Sequence, residues 1–131
     1  MHILVAGSRS WTDYDMLVEE LNKLIGSSDD ITIVSGGAKG ADTLAKRYAC
    51  EKGYKFIEVP AEWDKYGKSA GYKRNVKMHE IIRQDDERAC VCFWDGKSKG
   101  TTHNFELAKS GNTPLYVYLP SGLKKLENTE F

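Results

Sequence analysis

The sequence of 131 residues has few cysteines, no surplus of either charge and no long hydrophobic run. Its three cysteines, an odd number, argue against a disulfide framework, and Cys90 and Cys92 are spaced as buried thiols on one face of a strand. No apolar run approaches the ~18 residues that cross a bilayer. Residues 1–5 read as a strand and lack the basic leader of a signal peptide. These absences predict a cytoplasmic protein with no membrane partner.

Charge is balanced, because 19 lysines and arginines stand against 19 aspartates and glutamates and the net charge is zero. A protein that coats nucleic acid by charge alone needs a surplus of positive charge. The balance therefore disfavours nucleic acid as a partner. No cluster of His, Cys, Asp or Glu has the spacing of metal ligands. We accordingly expect neither a metal nor a cofactor.

Short apolar runs alternate with helical patterns along most of the chain. This alternation predicts an α/β, Rossmann-like three-layer sandwich, with a mostly parallel sheet of about five strands and helices on both faces. Residues 1–120 are expected to form one domain and residues 121–131 a polar tail that frays or packs as a small turn. Two strand orders stay open, Rossmann-like and flavodoxin-like. The predicted strands are 2–6, 31–34, 56–59, 89–94 and 115–119, and the predicted helices are 13–25 (capped by Thr12), 40–52, 70–83 and 101–109.

Glycine and small polar residues follow three of the predicted strands. In parallel α/β sheets, ligands bind beyond the carboxyl ends of the strands. Glycines let the backbone approach a ligand closely, and a helix N-terminus favours an anion such as phosphate. Arg9 and Lys39 would add charged hydrogen bonds to that anion. The candidate nucleotide-binding residues at these strand ends are Gly7, Ser8, Arg9, Ser35, Gly36, Gly37, Lys39, Gly40, Asp42, Asp95, Ser98, Gly100, Thr101 and Thr102.

The same residues also have a purely structural interpretation. Every strand-to-helix connection needs a tight turn and a helix cap, and Gly, Ser, Thr and Asp serve both needs. This interpretation leaves the cations beside the glycines, Arg9 and Lys39, unexplained. Two common nucleotide motifs are absent, the Gly-x-x-x-x-Gly-Lys-Ser/Thr loop and the dinucleotide fingerprint after the first strand. Ordinary ATP hydrolysis and dehydrogenase chemistry are therefore disfavoured.

Taken in order, the motifs resemble the SLOG superfamily, which unites DNA-processing protein A with the LONELY GUY phosphoribohydrolases. The resemblance is greatest to small YspA-type SLOG proteins and covers about residues 3–119. It implies a Rossmann-like fold, a pocket for a nucleotide or nucleotide-derived ligand and, by analogy only, a homo-oligomer. The motifs that carry it are Gly7-Ser8-Arg9, residues 35–42, Arg74-Asn75 and Gly100-Thr101.

The resemblance assigns roles to part of this set. It implies that the glycines of residues 36–40 form a backbone phosphate cradle and that Arg74 faces the ligand phosphate. In the hydrolases, a catalytic glutamate stands three residues after the threonine of the Gly-Thr step, where this chain has Asn104. Asp95 is a candidate replacement at the end of the fourth strand. Because nothing in the sequence shows that it serves, the catalytic residues stay unassigned.

Aromatic and histidine side chains supply further candidates. A ring at the sheet edge either stacks on a nucleobase or covers the end of the core. Trp63 is the candidate platform, also assigned to nucleotide binding. His103 would contact a phosphate or cap the last helix, and His79 is expected on a helix surface. The aromatic side chains near this edge are Trp11, Trp63, Tyr66 and Trp94.

Three functions follow from these patterns. The leading hypothesis is a sensor or sequestering module that binds a nucleotide or nucleotide-derived small molecule through its phosphates. The first alternative is N-glycosidic cleavage of a nucleoside monophosphate. The second is single-stranded DNA binding, as in DNA-processing protein A, against which the neutral charge and small size count.

Overall fold

The structure is a computed structural model, and it describes residues 1–120 and 126–127. Strands and helices alternate through these residues, as the hydrophobic pattern predicts. A tight 3₁₀ turn, Gly67–Ser69, connects the third and fourth helices. The elements are β1 (His2–Gly7), α1 (Tyr14–Ile25), β2 (Thr32–Ser35), α2 (Ala41–Lys52), β3 (Lys55–Glu58), α3 (Trp63–Tyr66), α4 (Ala70–Ile82), β4 (Arg88–Phe93), α5 (Lys99–Ser110), β5 (Leu115–Tyr118) and β6 (Leu126–Glu127).

The strands form one sheet in the order β3-β2-β1-β4-β5-β6. The first five are parallel, and the two-residue β6 runs antiparallel to β5. The α/β, Rossmann-like prediction is confirmed, and of the two strand orders left open the Rossmann-like one is present. Part of the predicted tail, residues 126–127, is strand β6; residues 121–125 and 128–131 lie outside the described residues.

The central strands are apolar because both of their faces are covered. Leu4 and Val5 of β1 are fully buried on opposite faces of the sheet. Helices α1 and α2 pack on one face and α4 and α5 on the other. Cys90 and Cys92 lie buried on the α4–α5 side with their sulfurs 3.9 Å apart, as their spacing predicts. No helix of the described part is long and apolar enough to cross a membrane.

Two local predictions are wrong for identifiable reasons. Helix α1 is capped by Asp13, not Thr12, because the Asp13 carboxylate accepts a hydrogen bond from the Met16 amide at 3.0 Å. His79 is fully buried instead of lying on the surface of α4. It packs toward α5, where Asn104 provides a hydrogen-bonding partner that periodicity within one helix does not reveal.

Gly40 brings the first two strand-to-helix loops together at the sheet edge. A Cβ atom there would collide with the carbonyl oxygen of Ser8 and lie 2.5 Å from that of Arg9. Its φ of +76° is in addition a conformation that side-chain-bearing residues rarely adopt. The neighbouring Ala41 amide donates to the Ser8 carbonyl at 3.2 Å. This contact fixes the start of α2 against the end of β1.

We therefore expect Gly40→Ala to destabilise the protein by about 2 kcal/mol or more, from the collision and the strained backbone together. Gly53→Ala is the matched control, since Gly53 has a φ of +74° but open space where the Cβ would lie. That variant should lose only about 1 kcal/mol. Urea denaturation of the three proteins measures the difference. Equal losses would contradict the close-packing argument.

Candidate functional site

A cavity of about 500 Å³ opens beyond the carboxyl ends of the central strands. It lies where the order of strands reverses between β1 and β4, the usual position of a ligand crevice in this architecture. Its wall comes from the loops after β1, β2 and β4, from the start of α2, and from α3 through α5. The lining residues are Ala6, Gly7, Ser8, Arg9, Ser10, Ala38, Asp42, Trp63, Lys68, Gly71, Tyr72, Arg74, Asn75, Met78, Asp95, Ser98, Gly100, Thr101 and Asn104.

Most residues assigned to ligand binding from the sequence meet in this one wall, although they come from distant parts of the chain. Their convergence follows from the parallel sheet, which puts all carboxyl ends of the parallel strands at one edge. Their binding roles stay predictions. The predicted residues in the wall are Gly7, Ser8, Arg9, Asp42, Trp63, Arg74, Asn75, Asp95, Ser98, Gly100 and Thr101.

The other predicted residues lie outside the wall. The Ser35 hydroxyl is buried and donates to the Val5 carbonyl at 2.7 Å, and the Thr102 hydroxyl donates to the Lys99 carbonyl at 2.7 Å. Lys39 is exposed. The three glycines of the predicted phosphate cradle also lie outside, although Ala38 between them lines the cavity. The full set outside is Ser35, Gly36, Gly37, Lys39, Gly40 and Thr102.

The turn after β2 is packed against Arg74. The Arg74 Nη1 group donates to the Gly36 carbonyl at 3.0 Å, and a Cβ atom on Gly36 would collide with the same guanidinium. The Ala38 amide donates to the Asp42 carboxylate at 3.1 Å. Glycine at position 36 leaves room for the Arg74 guanidinium where it now lies, which gives this residue a structural reason independent of any phosphate.

Ser8 and Asp95 hold the loops after β1 and β4 together. The buried Ser8 hydroxyl accepts a hydrogen bond from the Asp95 amide at 2.8 Å. The Asp95 carboxylate accepts from the amides of Lys97 and Ser98 at 2.8 and 2.9 Å. Slight burial works against the shift, but these hydrogen bonds lower the pKa of Asp95 below its ordinary value. The carboxylate is thus ionised and engaged in shaping the entry to α5.

Two arginines face the cavity from different elements. Arg9 is exposed on the loop after β1, and Arg74 is half-buried on α4. Burial lowers the pKa of Arg74, Asp42 opposes this, and the positive charge of Arg9 adds to it. Among the described residues, neither arginine forms an ion pair with a carboxylate within 4 Å. The wall therefore carries positive charge that the protein itself does not neutralise by direct contact.

Asp42 is the carboxylate whose negative charge acts on the pKa of Arg74. It is buried at the start of α2 and accepts from Ala38. Burial raises the pKa of Asp42 above its ordinary value, although the Ala38 hydrogen bond and the charge of Arg74 both act to lower it. Two carboxylates line the cavity, Asp42 and Asp95, and the ionised form of Asp42 consequently costs more free energy.

Asn75 links α4 to α5. Its Oδ1 accepts from Arg74 Nε at 3.0 Å, and its Nδ2 donates to the Gly100 carbonyl at 3.3 Å. His103 Nδ1 lies 3.2 Å from the same Nδ2, so this histidine turns toward Asn75 and does not line the cavity. Burial, followed by a smaller effect of His79, lowers the pKa of His103 in spite of Glu106. Both ends of the Asn75 amide are occupied by the protein.

The aromatic candidates divide into core and cavity residues. Trp11 is buried with its ring centroid 5.4 Å from that of Phe93, and Trp94 packs edge-on against Phe105 while its indole donates to the Ser98 carbonyl at 3.1 Å. Trp63, by contrast, is 51% exposed and lines the cavity. For Trp11 and Trp94 the interpretation as covers of the core is therefore correct.

Part of the cavity wall was not predicted from the sequence. Lys68 and Tyr72 reach the cavity because α3 and α4 fold over its mouth, which no short motif indicates. Asn104 lines the cavity at the position that the hydrolase motif gives to a glutamate, whereas Glu106 is exposed and lies outside the wall. The spacing of the Gly-Thr step and the helix that follows it was the signal available for Asn104. Within the described residues, no group of three His, Cys, Asp or Glu is placed to hold a metal ion.

Comparisons with known proteins agree with this architecture. The family model YAcAr, described as the YspA, cpYpsA-related SLOG family, matches residues 1–66. The Gene 61 protein of Mycobacterium phage D29 is 34% identical over 122 residues, which cover 86% of this chain and 92% of that protein.

Two solved structures share the fold. DNA processing protein A from Streptococcus pneumoniae matches with a TM-score of 0.67 and 22% identity over 94% of this chain, which spans about half, 52%, of that chain. DNA processing protein A from Helicobacter pylori matches with a TM-score of 0.65 and 20% identity, over 98% of this chain and 69% of that one. At these identities, the likeness shows the fold alone.

The prediction that disfavours nucleic acid as a partner is wrong. The Helicobacter pylori protein has a single-stranded DNA binding mode, so a protein with this fold does bind nucleic acid. Net charge was the wrong criterion because it averages the whole surface, whereas a bound strand meets one face. Here exposed lysines gather on and before α4, at positions 65, 68, 73 and 77.

The raised pKa of Asp42 predicts a specific pH dependence of stability. A carboxyl whose folded pKa is raised favours folding fully below its unfolded pKa and loses that contribution as the pH rises through the folded value. The free energy of unfolding of wild type minus that of Asp42→Asn should therefore fall as the pH is raised from about 4 toward neutrality. Urea denaturation of both proteins across this range measures it. A difference that grows with pH would contradict the assignment.

Proposed function

The chain belongs to the YAcAr (YspA, cpYpsA-related SLOG) family, and we propose that its cavity binds the phosphate group of a nucleotide or nucleotide-derived ligand. The observation that carries the proposal is the pair of cations, Arg9 and Arg74, that face one cavity without an ion-paired carboxylate among the described residues. A role as a sensor or sequestering module, a cytoplasmic location and a homo-oligomeric state stay predictions.

Charge supports this proposal more directly than the glycines do. Two guanidinium groups on separate elements repel each other, and an anion between them removes that repulsion. Guanidinium groups match phosphate oxygens geometrically and stay charged at any physiological pH. The glycines after β2 are already needed for the close approach of Arg74 and of the Ser8 carbonyl.

The size and lining of the cavity also suit a nucleotide. A volume of about 500 Å³ lies within the range of ~300–1,000 Å³ that is typical of small-molecule sites. Trp63 and Tyr72 provide aromatic rings at the mouth, where a base would lie if the phosphate were at the arginines. Gly100 and Thr101 of α5 also line the cavity.

Arg9→Gln should weaken the binding of adenosine or cytidine monophosphate by about 1.5–3 kcal/mol, as the loss of a hydrogen bond to a charged group predicts. Arg9 is the sharper test because it is exposed, whereas Arg74 also donates to Gly36 and Asn75 and supports the fold. Isothermal calorimetry with both nucleotides measures the affinity.

Lys55→Gln is the matched control. Lys55 is exposed at the amino-terminal end of β3, whereas the cavity lies beyond the carboxyl ends of the strands. Its substitution removes one positive charge and should leave the affinity unchanged. An equal loss of affinity in both variants would show that the net charge of the protein, and not the position of Arg9, determines nucleotide binding. An unchanged affinity in Arg9→Gln would show that Arg9 does not bind the phosphate. The proposal that two arginines hold the phosphate would then be wrong.

Single-stranded DNA is the second candidate ligand, favoured by the exposed surface beside the cavity. We call the α3–α4 patch the surface formed by Trp63, Lys65, Tyr66, Lys68, Tyr72, Lys73 and Lys77. Trp63 and Tyr72 are 51% and 50% exposed there, and the ammonium groups of Lys65 and Lys73 lie 5.1 and 4.6 Å from the Tyr66 ring centroid. Aromatic faces interleaved with cations are what single-strand binding proteins offer to stacked bases and their phosphates.

If DNA binds this patch, Trp63→Ala should lose about 1–3 kcal/mol of affinity for a labelled oligothymidylate, while Trp63→Phe keeps most of it by retaining an aromatic face. Fluorescence anisotropy over a salt series measures both the affinity and its salt slope, expected near −0.7 per phosphate contacted. Competition by adenosine monophosphate would place the strand in the same cavity. Binding that is the same in all three proteins would exclude Trp63 as a stacking platform.

A further inference from the structure

His79 is a buried polar residue that the proposed phosphate site does not use. It is fully buried on α4, and its Nε2 lies 3.1 Å from Oδ1 of Asn104 on α5. Its other ring nitrogen, Nδ1, is buried and has no side-chain or backbone hydrogen-bonding partner within residues 1–120. A buried polar group is costly unless it is paired, so the hydrogen bond to Asn104 helps to hold the His79 ring in place.

The chemistry of this pair fixes its direction. A carbonyl oxygen accepts and never donates, so Nε2 of His79 must carry the proton that Oδ1 of Asn104 receives. The amide of Asn104 is thereby oriented, because its oxygen is turned into the protein toward His79. Its nitrogen, Nδ2, is then the polar end that is left for the cavity, whose wall Asn104 forms together with Thr101 and Met78.

Asn75 differs from Asn104 in how many of its side-chain atoms are already hydrogen-bonded. Asn75 also lines the cavity, but its Oδ1 is bound by Arg74 and its Nδ2 by the Gly100 carbonyl. Asn104 has one end occupied, and within the described residues no further hydrogen bond engages its side chain. Of the two asparagines in the wall, Asn104 is the one whose Nδ2 has no hydrogen-bonding partner in the part of the chain that the structure describes.

We propose that Asn104 is a specificity-determining residue, donating a hydrogen bond from Nδ2 to an acceptor atom of the bound nucleotide, and that His79 is the positioning residue that keeps Nδ2 pointed into the cavity. This inference rests on the proposed nucleotide function. It adds that the site selects ligands that present an acceptor to α5, and that a donor at the same place is rejected. A free Asn side chain can turn its amide over, whereas Asn104 cannot do so without breaking its hydrogen bond to His79 as long as the His79 proton is on Nε2.

The test follows the Asn104 side-chain amide by ¹H–¹⁵N NMR during titration with adenosine monophosphate. Its signal pair is assigned by its loss in Asn104→Asp, a variant of nearly equal volume that keeps the oxygen facing His79. The pair should shift in step with saturation. Asn104→Asp, which replaces the donor with an anionic acceptor, should bind at least about tenfold more weakly. Glu106→Gln, an exposed change on the same helix, should bind as wild type.

The positioning role has its own readout. His79→Leu removes the bond to Asn104 and should move the Asn104 amide signals without any ligand, and weaken binding about three- to tenfold. His79→Gln restores a side-chain donor and should return both the signals and the affinity toward wild type. If His79→Leu leaves the Asn104 signals unchanged, the positioning role is overturned.

The outcomes separate this inference from the proposed function. If signals of Trp63 and Gly100 shift with nucleotide while the Asn104 side chain does not, the cavity binds the ligand and the role of Asn104 is overturned. If no cavity signal moves at saturating nucleotide, the proposed function itself fails. In that case Asn104 is not a nucleotide-reading donor either, and only the ligand-free effect of His79→Leu retains its meaning.

Discussion

The meeting of three strand-to-helix loops at Ser8 is the constraint on which the site depends. The Ser8 carbonyl accepts the Ala41 amide at the start of α2, its amide donates to Phe93 of β4 at 2.9 Å, and its hydroxyl accepts the Asp95 amide. Gly40 fits against the same carbonyl because it has no Cβ. The helices that follow these loops lie on opposite faces of the sheet, and the cavity opens beyond the loops at this edge. A crevice here is a consequence of backbone packing before any ligand is considered.

Much of the fold could be predicted from the sequence because the signal is carried by many residues at once. Alternating apolar runs specify a parallel sheet, and a parallel sheet gathers all of its strand-to-helix loops at one edge. Most of the predicted site residues therefore meet at the cavity without any of them being located individually. The strand order was open because the two orders differ in whether β1 pairs with β3 or with β4, and nothing local in the sequence identifies that neighbour.

The features that could not be predicted are contacts between two residues that lie far apart in the sequence. Glycine at position 36 serves Arg74, which is 38 residues away, and His79 is buried because Asn104 lies opposite it on another helix. A helical pattern reports which face of its own helix is apolar, and it says nothing of a polar partner on the next one. Trp63 and Trp94 likewise follow similar strand ends, yet only Trp63 lines the cavity. That difference is set by how α3 folds back over α4.

Charge shows the same limit in another form. A chain with zero net charge can still have its cations close together on one face, because net charge is summed over the whole surface. Arg9 and Arg74 gain nothing from each other, and the carboxylate that balances them, Asp42, is itself held in a setting that favours its protonated form. Arg74 and Asp42 would both be better solvated on the open surface, because burial shifts the pKa of each toward its neutral form. A phosphate bound as proposed would offset the repulsion between the two arginines, and the placing of two costly charged groups beside an open cavity is the strongest reason to regard the cavity as a site.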